Sequence, residues 1–330
     1  MKNGFPCLIS KLSQHNQSYR HQSTFKGFPK WIDTYDLNIP ELNNVNSSVS
    51  CKHDKKSPLR IIRWKRNSLD NSLPDRKVAN YFFRLRINRT LSKSQNKCLI
   101  SSSQAIVNIL NYSSVNFGLI YSTNRQIIDY IQNSFSGRYG KVCLCNQNFI
   151  DRVYMHTTFA LSRSDVAAEA HIPLETDFTH PKRILVLDGL SYAQNVGMLT
   201  RTAISLGFDG LFVLNNSAKQ FDWKVTCITK GFQFAFPYRT GDALDLANFC
   251  KEKNLIPLVA HVEGVDLKDF TLNPECGFCL VMGSEGNGPS KQVLEFAQKI
   301  TLPGYSLIDS LNVAIAGGIL MHQLTQLIRN

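Results

Sequence analysis

Between residues 181 and 330, short apolar runs alternate with helical periods, and few folds accommodate that alternation. Ile184-Leu-Val-Leu187, Gly210-Leu-Phe-Val-Leu214, Ile256-Pro-Leu-Val-Ala260 and Phe278-Cys-Leu-Val-Met282 are runs of the length and kind that fill strands covered on both faces. The spacing between them predicts helices over 196–206, 243–253, 291–299 and 311–328, with a short strand at Ile300-Thr-Leu302. Repeated strand–helix–strand units give an α/β fold: a mostly parallel sheet with helices on both faces. Ligands in such folds sit beyond the carboxyl ends of strands. The segments that follow Leu187, Met282 and Leu302 are therefore the places to look for chemistry.

The same alternation recurs more weakly upstream. Cys98-Leu-Ile100, Phe117-Gly-Leu-Ile-Tyr121 and Val142-Cys-Leu-Cys145 read as strands, and Ala105–Leu110 and Gln126–Ile131 as helices. This divides the chain into a tail over 1–80, a small α/β domain over 81–165, a linker over 166–180 and the larger domain over 181–330. The tail is expected to be largely disordered, since runs such as Asn43-Asn-Val-Asn-Ser-Ser-Val-Ser50 do not build a core.

Charge follows this division. The 330 residues hold 37 Lys+Arg and 25 Asp+Glu, a formal +12. Residues 181–330 hold 13 of each, so the whole excess lies in the first 180. Such an excess favours a polyanionic partner, nucleic acid before an anionic membrane surface. Leu59-Arg-Ile-Ile-Arg-Trp-Lys-Arg66 and Tyr81-Phe-Phe-Arg-Leu-Arg86 interleave bases with aromatics, as suits phosphate contact and base stacking. Tyr81–Arg86 reads equally well as an amphipathic helix with its aromatics in a core. The first 32 residues carry five bases and no acid, the make-up of an organelle transit segment. A mitochondrial address is expected, the alternative being a plain basic tail on a cytoplasmic or nuclear protein. No run approaches the roughly 18 apolar residues of a membrane span. Nine scattered cysteines with a single C-x-x-C, at 276 and 279, give neither a disulfide framework nor a zinc site, and no metal is expected.

Three segments bear the marks of a site. Leu187-Asp-Gly-Leu-Ser-Tyr-Ala-Gln-Asn195 leads into a helix with Arg201 nearly two turns inside it, a guanidinium fork near free backbone N–H groups. The plainer alternative is an N-cap Asn and a surface Arg. Val281-Met-Gly283-Ser-Glu285-Gly-Asn-Gly288-Pro-Ser290 is a glycine-rich turn after a strand. It is neither the dinucleotide G-x-G-x-x-G nor a phosphate-cradling loop, and Glu285 would repel phosphate and suit a ribosyl or cationic ligand. Leu302-Pro-Gly304 through Ser310-Leu-Asn312-Val opens a helix apolar all round, with Ser310 or Asp309 placed to cap it. Asn312 is the only polar side chain from Leu311 to Met321, so it needs partners. The small residues Ala314, Ala316, Gly317 and Gly318 admit another backbone at close range.

Taken together and in this order, Asn195-x-Gly197-x-x-x-Arg201-Thr-Ala, Met282-Gly-Ser-Glu-Gly-Asn-Gly288 and Leu302-Pro-Gly…Ser310-Leu-Asn-Val313 resemble the SpoU (TrmH-like) family of RNA 2′-O-ribose methyltransferases, within the SPOUT superfamily. The likeness covers about 181–330 and is nearest to the rRNA-modifying branch, which includes mitochondrial large-subunit members. It implies a trefoil-knotted domain, S-adenosylmethionine as cofactor and a homodimer. It also implies methyl transfer to a ribose 2′-hydroxyl, with rRNA favoured over tRNA and guanosine favoured as the target. Asn195, Arg201, Glu285, Ser310 and Asn312 match the family's catalytic set. Gly283, Leu302 and Leu311, with Met282 and Pro303 beside them, match its cofactor positions. For such a transfer Asn195 and Glu285 would orient Arg201 and the ribose, and Ser310 and Asn312 would shape the substrate pocket and knot. Residues 98–161 resemble, more weakly, the L30e-like RNA-binding domain that precedes many such enzymes. Ile100-Ser-Ser-Ser103 and His156-Thr-Thr158 depart from that domain's pattern, and Tyr192-Ala193 and Ala314 depart from the catalytic one. An NAD-dependent enzyme, a non-catalytic RNA-binding assembly factor and a peripheral membrane protein are the competing readings.

Overall fold

The structure, a computed structural model, describes residues 73–155, 157, 164–273, 275–302 and 311–327. The transit-like segment and the basic stretch at 59–66 lie outside them.

The first helix, α1 (Leu73–Ile87), begins inside the segment expected to be tail. Val78, Ala79, Phe82 and Leu85 recur at helical spacing and are buried, while Arg84 is exposed. The amphipathic reading of Tyr81–Arg86 is therefore the observed one. After α2 (Arg89–Gln95) come β1 (Lys97–Ile100), α3 (Ser103–Tyr112), β2 (Phe117–Ser122), α4 (Arg125–Ser134), β3 (Tyr139–Leu144), α5 (Gln147–Val153) and β4 (Val166–His171). The four strands form one sheet in the order β1-β4-β2-β3. β4 pairs antiparallel with both β1 and β2, and β2 pairs parallel with β3. Alternate residues divide between two cores, as a period of two requires. Ile100, Ile120 and Ala168 face α3 and α4, whereas Leu99, Tyr121 and Ala167 face α1 and α5.

β4 overturns part of the expected linker. Val166-Ala-Ala-Glu-Ala-His171 has little β propensity, yet it is an inner strand and all but its last residue are buried. Glu169 is buried there with Lys97, whose Nζ donates to Glu169 Oε1 at 3.0 Å, and Tyr81 donates to its other oxygen.

The second lobe contains β5 (Arg183–Leu187), α6 (Ala193–Ser205), β6 (Gly210–Leu214), α7 (Trp223–Thr229), β7 (Tyr238–Gly241), α8 (Ala243–Glu252), β8 (Leu255–Asp266), β9 (Gly277–Met282), α9 (Lys291–Leu294), β10 (Gln298–Thr301) and α10 (Val313–Leu327). Its six strands are all parallel, in the order β10-β8-β9-β5-β6-β7. The apolar runs are buried on both faces for the reason that made them legible. Ile184, Val186, Phe212 and Leu214 pack on Leu246 and Phe249 of α8. Leu185, Leu187, Leu211 and Val213 pack on Leu199 and Ala203 of α6 and Leu320 and Leu324 of α10. The helix expected over 291–299 ends at Leu294, because Gln298–Thr301 is drawn into the sheet as a parallel partner of β8.

α7 joins the lobes. Cys227 Sγ lies 2.8 Å from Ser101 Oγ, and Asn108 Nδ2 donates to the carbonyl of Lys230 at 2.8 Å. Gly231 has φ +81°, and a side chain there would lie 2.7 Å from the Ala105 carbonyl oxygen, so the turn after α7 admits no other residue without rearrangement. Among the described residues no helix is long and apolar enough to cross a membrane, and no group of three potential metal ligands occurs.

Candidate functional site

β5 and β9 are neighbours in the middle of the sheet, and Leu187 pairs with Met282 at their carboxyl ends. Chain connections leave these strands in opposite directions across the sheet, since β6 follows β5 on one side and β8 flanks β9 on the other. That is a topological switch point, where an open α/β sheet leaves a crevice. The first and second motifs emerge there.

Asn195 lies in the first turn of α6 but does not cap it. The N-cap is Tyr192, which gives no side-chain bond. Asn195 instead reaches across the crevice and donates from Nδ2 to Glu285 Oε1 at 2.6 Å. Its Oδ1 accepts from Asn312 Nδ2 at 3.3 Å. One residue from each motif thus joins a single hydrogen-bonded chain, running Asn312 to Asn195 to Glu285. Asn195 is 8% exposed, while Glu285 and Asn312 are at the surface. The chain therefore leads from solvent through a buried amide to a carboxylate, and hydrogen bonds to a charged acceptor are the stronger kind.

Asn312 also caps α10. Its Oδ1 accepts from Ala314 N at 2.9 Å and from Ile315 N at 3.4 Å. Asn312 is thus the N-cap of this helix, and Asp309, expected with Ser310 as a cap, lies outside the described residues. Ser310 and Pro303 lie outside the described residues.

Arg201 does not join this chain. It is exposed on α6, and its Nη1 donates to the Ile228 carbonyl at 3.0 Å. The expected orientation by Asn195 and Glu285 is replaced by a contact with the end of α7. A six-residue separation accounts for this, since it turns the two side chains well away from each other around the helix.

The glycine-rich loop closes on itself. Ser284 and Gly288 exchange both backbone hydrogen bonds at 3.0 Å, and Asn287 N donates to Ser284 Oγ at 3.1 Å. A side chain on Gly283 would lie 2.3 Å from Pro289 N, so only glycine lets the loop turn back this tightly. The tip, Glu285-Gly-Asn287, is exposed. Of the other expected cofactor positions, Leu302 is half-buried and Leu311 is 54% exposed. The side chain of Met282 is in the core, and its carbonyl accepts from Asp188 N at 3.0 Å.

Sequence reasoning passed over Asp188 and Asn216. Asp188 is 1% exposed, and its two oxygens accept from Asn216 Nδ2 at 3.0 Å and Ser290 N at 2.6 Å. The available signal was a carboxylate placed directly after the apolar run Ile184–Leu187, where it follows the strand into the crevice.

Residues 182–322, within the second lobe, match the model of the SpoU rRNA Methylase family. A 23S rRNA (adenosine(1067)-2′-O)-methyltransferase of Streptomyces azureus is 26% identical over 143 residues, 42% of this chain and 53% of that protein. The 23S rRNA (guanosine(2553)-2′-O)-methyltransferase RlmP of Bacillus subtilis is 27% identical over 164 residues, 48% of this chain and 64% of that protein. The chain thus spans between half and two thirds of the length of these relatives. In fold it is similar to an AdoMet-bound rRNA methyltransferase from Sinorhizobium meliloti, with a TM-score of 0.68 and 18% identity over 77% of this chain and 96% of that one. It is also similar to the SpoU methyltransferase AviRb from Streptomyces viridochromogenes, with a TM-score of 0.67 and 15% identity over 76% and 97%.

Proposed function

We propose that the protein transfers a methyl group from S-adenosylmethionine to a ribose 2′-hydroxyl of RNA, with large-subunit rRNA as substrate and guanosine as the favoured nucleoside. The observation that carries this reading is the hydrogen-bonded chain from Asn312 through Asn195 to Glu285. It ties all three motifs together at the switch point of a domain that matches the SpoU model. The rRNA preference is supported by the names of the relatives above, of which one bears a guanosine target. The knot expected of the third motif, a homodimer and a mitochondrial address belong to the same reading. The last of these rests on the basic, acid-free first 32 residues.

The residues present fit the cofactor. Glu285 offers a carboxylate at an exposed loop tip, suited to hydroxyl or ammonium donors, and Leu302 and Leu311 add apolar surface to the segment leading to Asn312. Gly283, Leu302 and Leu311 would hold it, with Pro303. When bound it supplies a methyl group on a sulfonium, the electrophile of the reaction. The protein's own task is positioning. Arg201 holds an RNA phosphate near the ribose; a guanidinium is a poor base but a good anion fork. Asn195 fixes Glu285, and Asn312 fixes Asn195.

The surface of α10 supports the dimer. Leu311, Ile315 and Ile319 recur every four residues and are 54%, 52% and 39% exposed, and Met198 of α6 is also exposed. A second copy on this face would cover that apolar stripe and bring protein around Arg201, which one chain leaves in solvent. The paired changes Ile315→Glu and Ile319→Glu are expected to convert the dimer to a folded monomer, as read by sedimentation velocity, with activity lost.

The decisive test incubates the purified protein with labelled S-adenosylmethionine and separate pools of rRNA and tRNA, then maps alkali-resistant phosphodiester bonds. The expected result is one 2′-O-methyl mark in large-subunit rRNA, at a guanosine. A mark confined to tRNA would move the substrate. Cofactor binding without transfer to any RNA would favour the assembly-factor reading.

A further inference from the structure

Asp188 holds both feet of the glycine-rich loop. Its backbone N–H donates to the Met282 carbonyl where the loop leaves β9, and its carboxylate accepts from Ser290 N where the loop enters α9. The second carboxylate oxygen accepts from Asn216 Nδ2, just after β6. Asn216 completes the arrangement by accepting from Gly189 N at 3.0 Å, with Gly189 in the left-handed region at φ +70°. Two strand ends and the loop are therefore fastened to one residue.

The carboxylate is almost wholly out of solvent, and among the described residues no ion pair includes it. Burying a charge without a counter-charge is costly unless amide donors replace its water. The core has no need of such a charge, since the buried strand residues behind it, Ile184–Leu187, are all apolar. What the carboxylate does supply is two acceptors aimed at two donors on different segments. A neutral amide at the same place would set one donor against another. The fastened loop is the one that carries Gly283 and Glu285.

We propose that Asp188 is a positioning residue that sets the affinity for S-adenosylmethionine by holding the 283–290 loop in its binding shape. This rests on the function proposed above. The test measures cofactor affinity by calorimetry, thermal stability, and the Michaelis constants in the methyl-transfer assay. Asp188→Asn is expected to weaken cofactor binding at least tenfold and raise KM for the cofactor in step, with kcat moving less than threefold. Ser290→Pro reaches the same bond from the other side. Ser290 already has φ −64° and ψ 148°, which proline adopts without strain, so the change removes the N–H and little else of the backbone. It is expected to weaken binding tenfold as well, while Ser290→Ala, which keeps the N–H, stays within twofold of the native protein. Should Asp188→Asn fail to fold, the Ser290 pair decides. Native cofactor affinity in Asp188→Asn, or in Ser290→Pro, would overturn the role of Asp188. Failure of the native protein to bind the cofactor would instead overturn the functional reading on which it rests.

Discussion

Replacing Arg201 by Ala is expected to lower methyl transfer by about 100-fold, the size of loss when a substrate-positioning clamp is removed, while cofactor binding stays within threefold. The separation follows from where Arg201 lies. It is exposed, and its hydrogen bond is to the Ile228 carbonyl rather than to Asn195, Glu285 or the glycine-rich loop. Its removal therefore leaves the loop and the Asn312–Asn195–Glu285 chain intact. An exposed side chain with one backbone contact also adds little to stability, within about 0.5 kcal/mol. Arg201→Lys is expected to recover little activity, because an ammonium cannot reproduce the two-pronged geometry of a guanidinium on a phosphate. Single-turnover transfer and calorimetry on the same preparations check both halves of the statement. Normal turnover by Arg201→Ala would remove Arg201 from the site.

The contact with Ile228 gives Arg201 a neighbour of some interest. Two residues further on, the Lys230 carbonyl accepts from the buried Asn108 of the first lobe. Arg201 thus rests on a helix end that is itself held by the first lobe. Asn108→Ala leaves the Lys230 carbonyl without this partner and is expected to lower kcat about tenfold with cofactor affinity unchanged. Equal kcat in the variant and the native protein would show that the lobe junction does not bear on Arg201.

The larger sheet was legible because its strands are buried on both faces. A strand such as Ile184–Leu187 must be apolar throughout, and that requirement is visible in one dimension. β4 shows the opposite case. It too is an inner strand, yet Val166-Ala-Ala-Glu-Ala-His171 uses alanines and a buried Glu169. The space decides this: a side chain on Gly118 of β2 would meet the Glu169 carboxylate at 1.9 Å, so that carboxylate occupies room a normal residue would fill. No pattern within the segment reveals a glycine 51 positions away. The site divides in the same manner. Asn195, Glu285 and Asn312 could be singled out from the sequence, each as a polar residue in an otherwise apolar or glycine-rich setting. Their bonds to one another could not, because those depend on β5 and β9 being neighbours. Arg201 was expected beside them from its place in the motif, and only the helix geometry turns it toward α7.

Breaking the chain of hydrogen bonds at Asn195 is the second large effect. Asn195→Ala removes the donor to Glu285 and the acceptor for Asn312 together, and about a 100-fold loss of transfer is expected, of the size seen when a positioning contact is lost. Asn312 separates position from stability. Asn312→Ala would lose the cap of α10, costing about 1 kcal/mol, so a fall in activity would be ambiguous. Asn312→Ser keeps a capping oxygen for Ala314 N but is too short to reach Asn195. Its thermal midpoint is expected within 2 °C of the native protein, with transfer reduced about tenfold. If Asn312 acts only by holding Asn195, adding Asn312→Ser to Asn195→Ala brings no further loss, because residues that work as a unit are not additive. A full additional tenfold in the double variant would mean that Asn312 meets the substrate directly. Glu285→Gln completes the series. The amide keeps an oxygen to accept from Asn195, so the loop stays tied, but the charge is gone. A fall in transfer from that change alone assigns the carboxylate charge, rather than the loop's shape, to the chemistry.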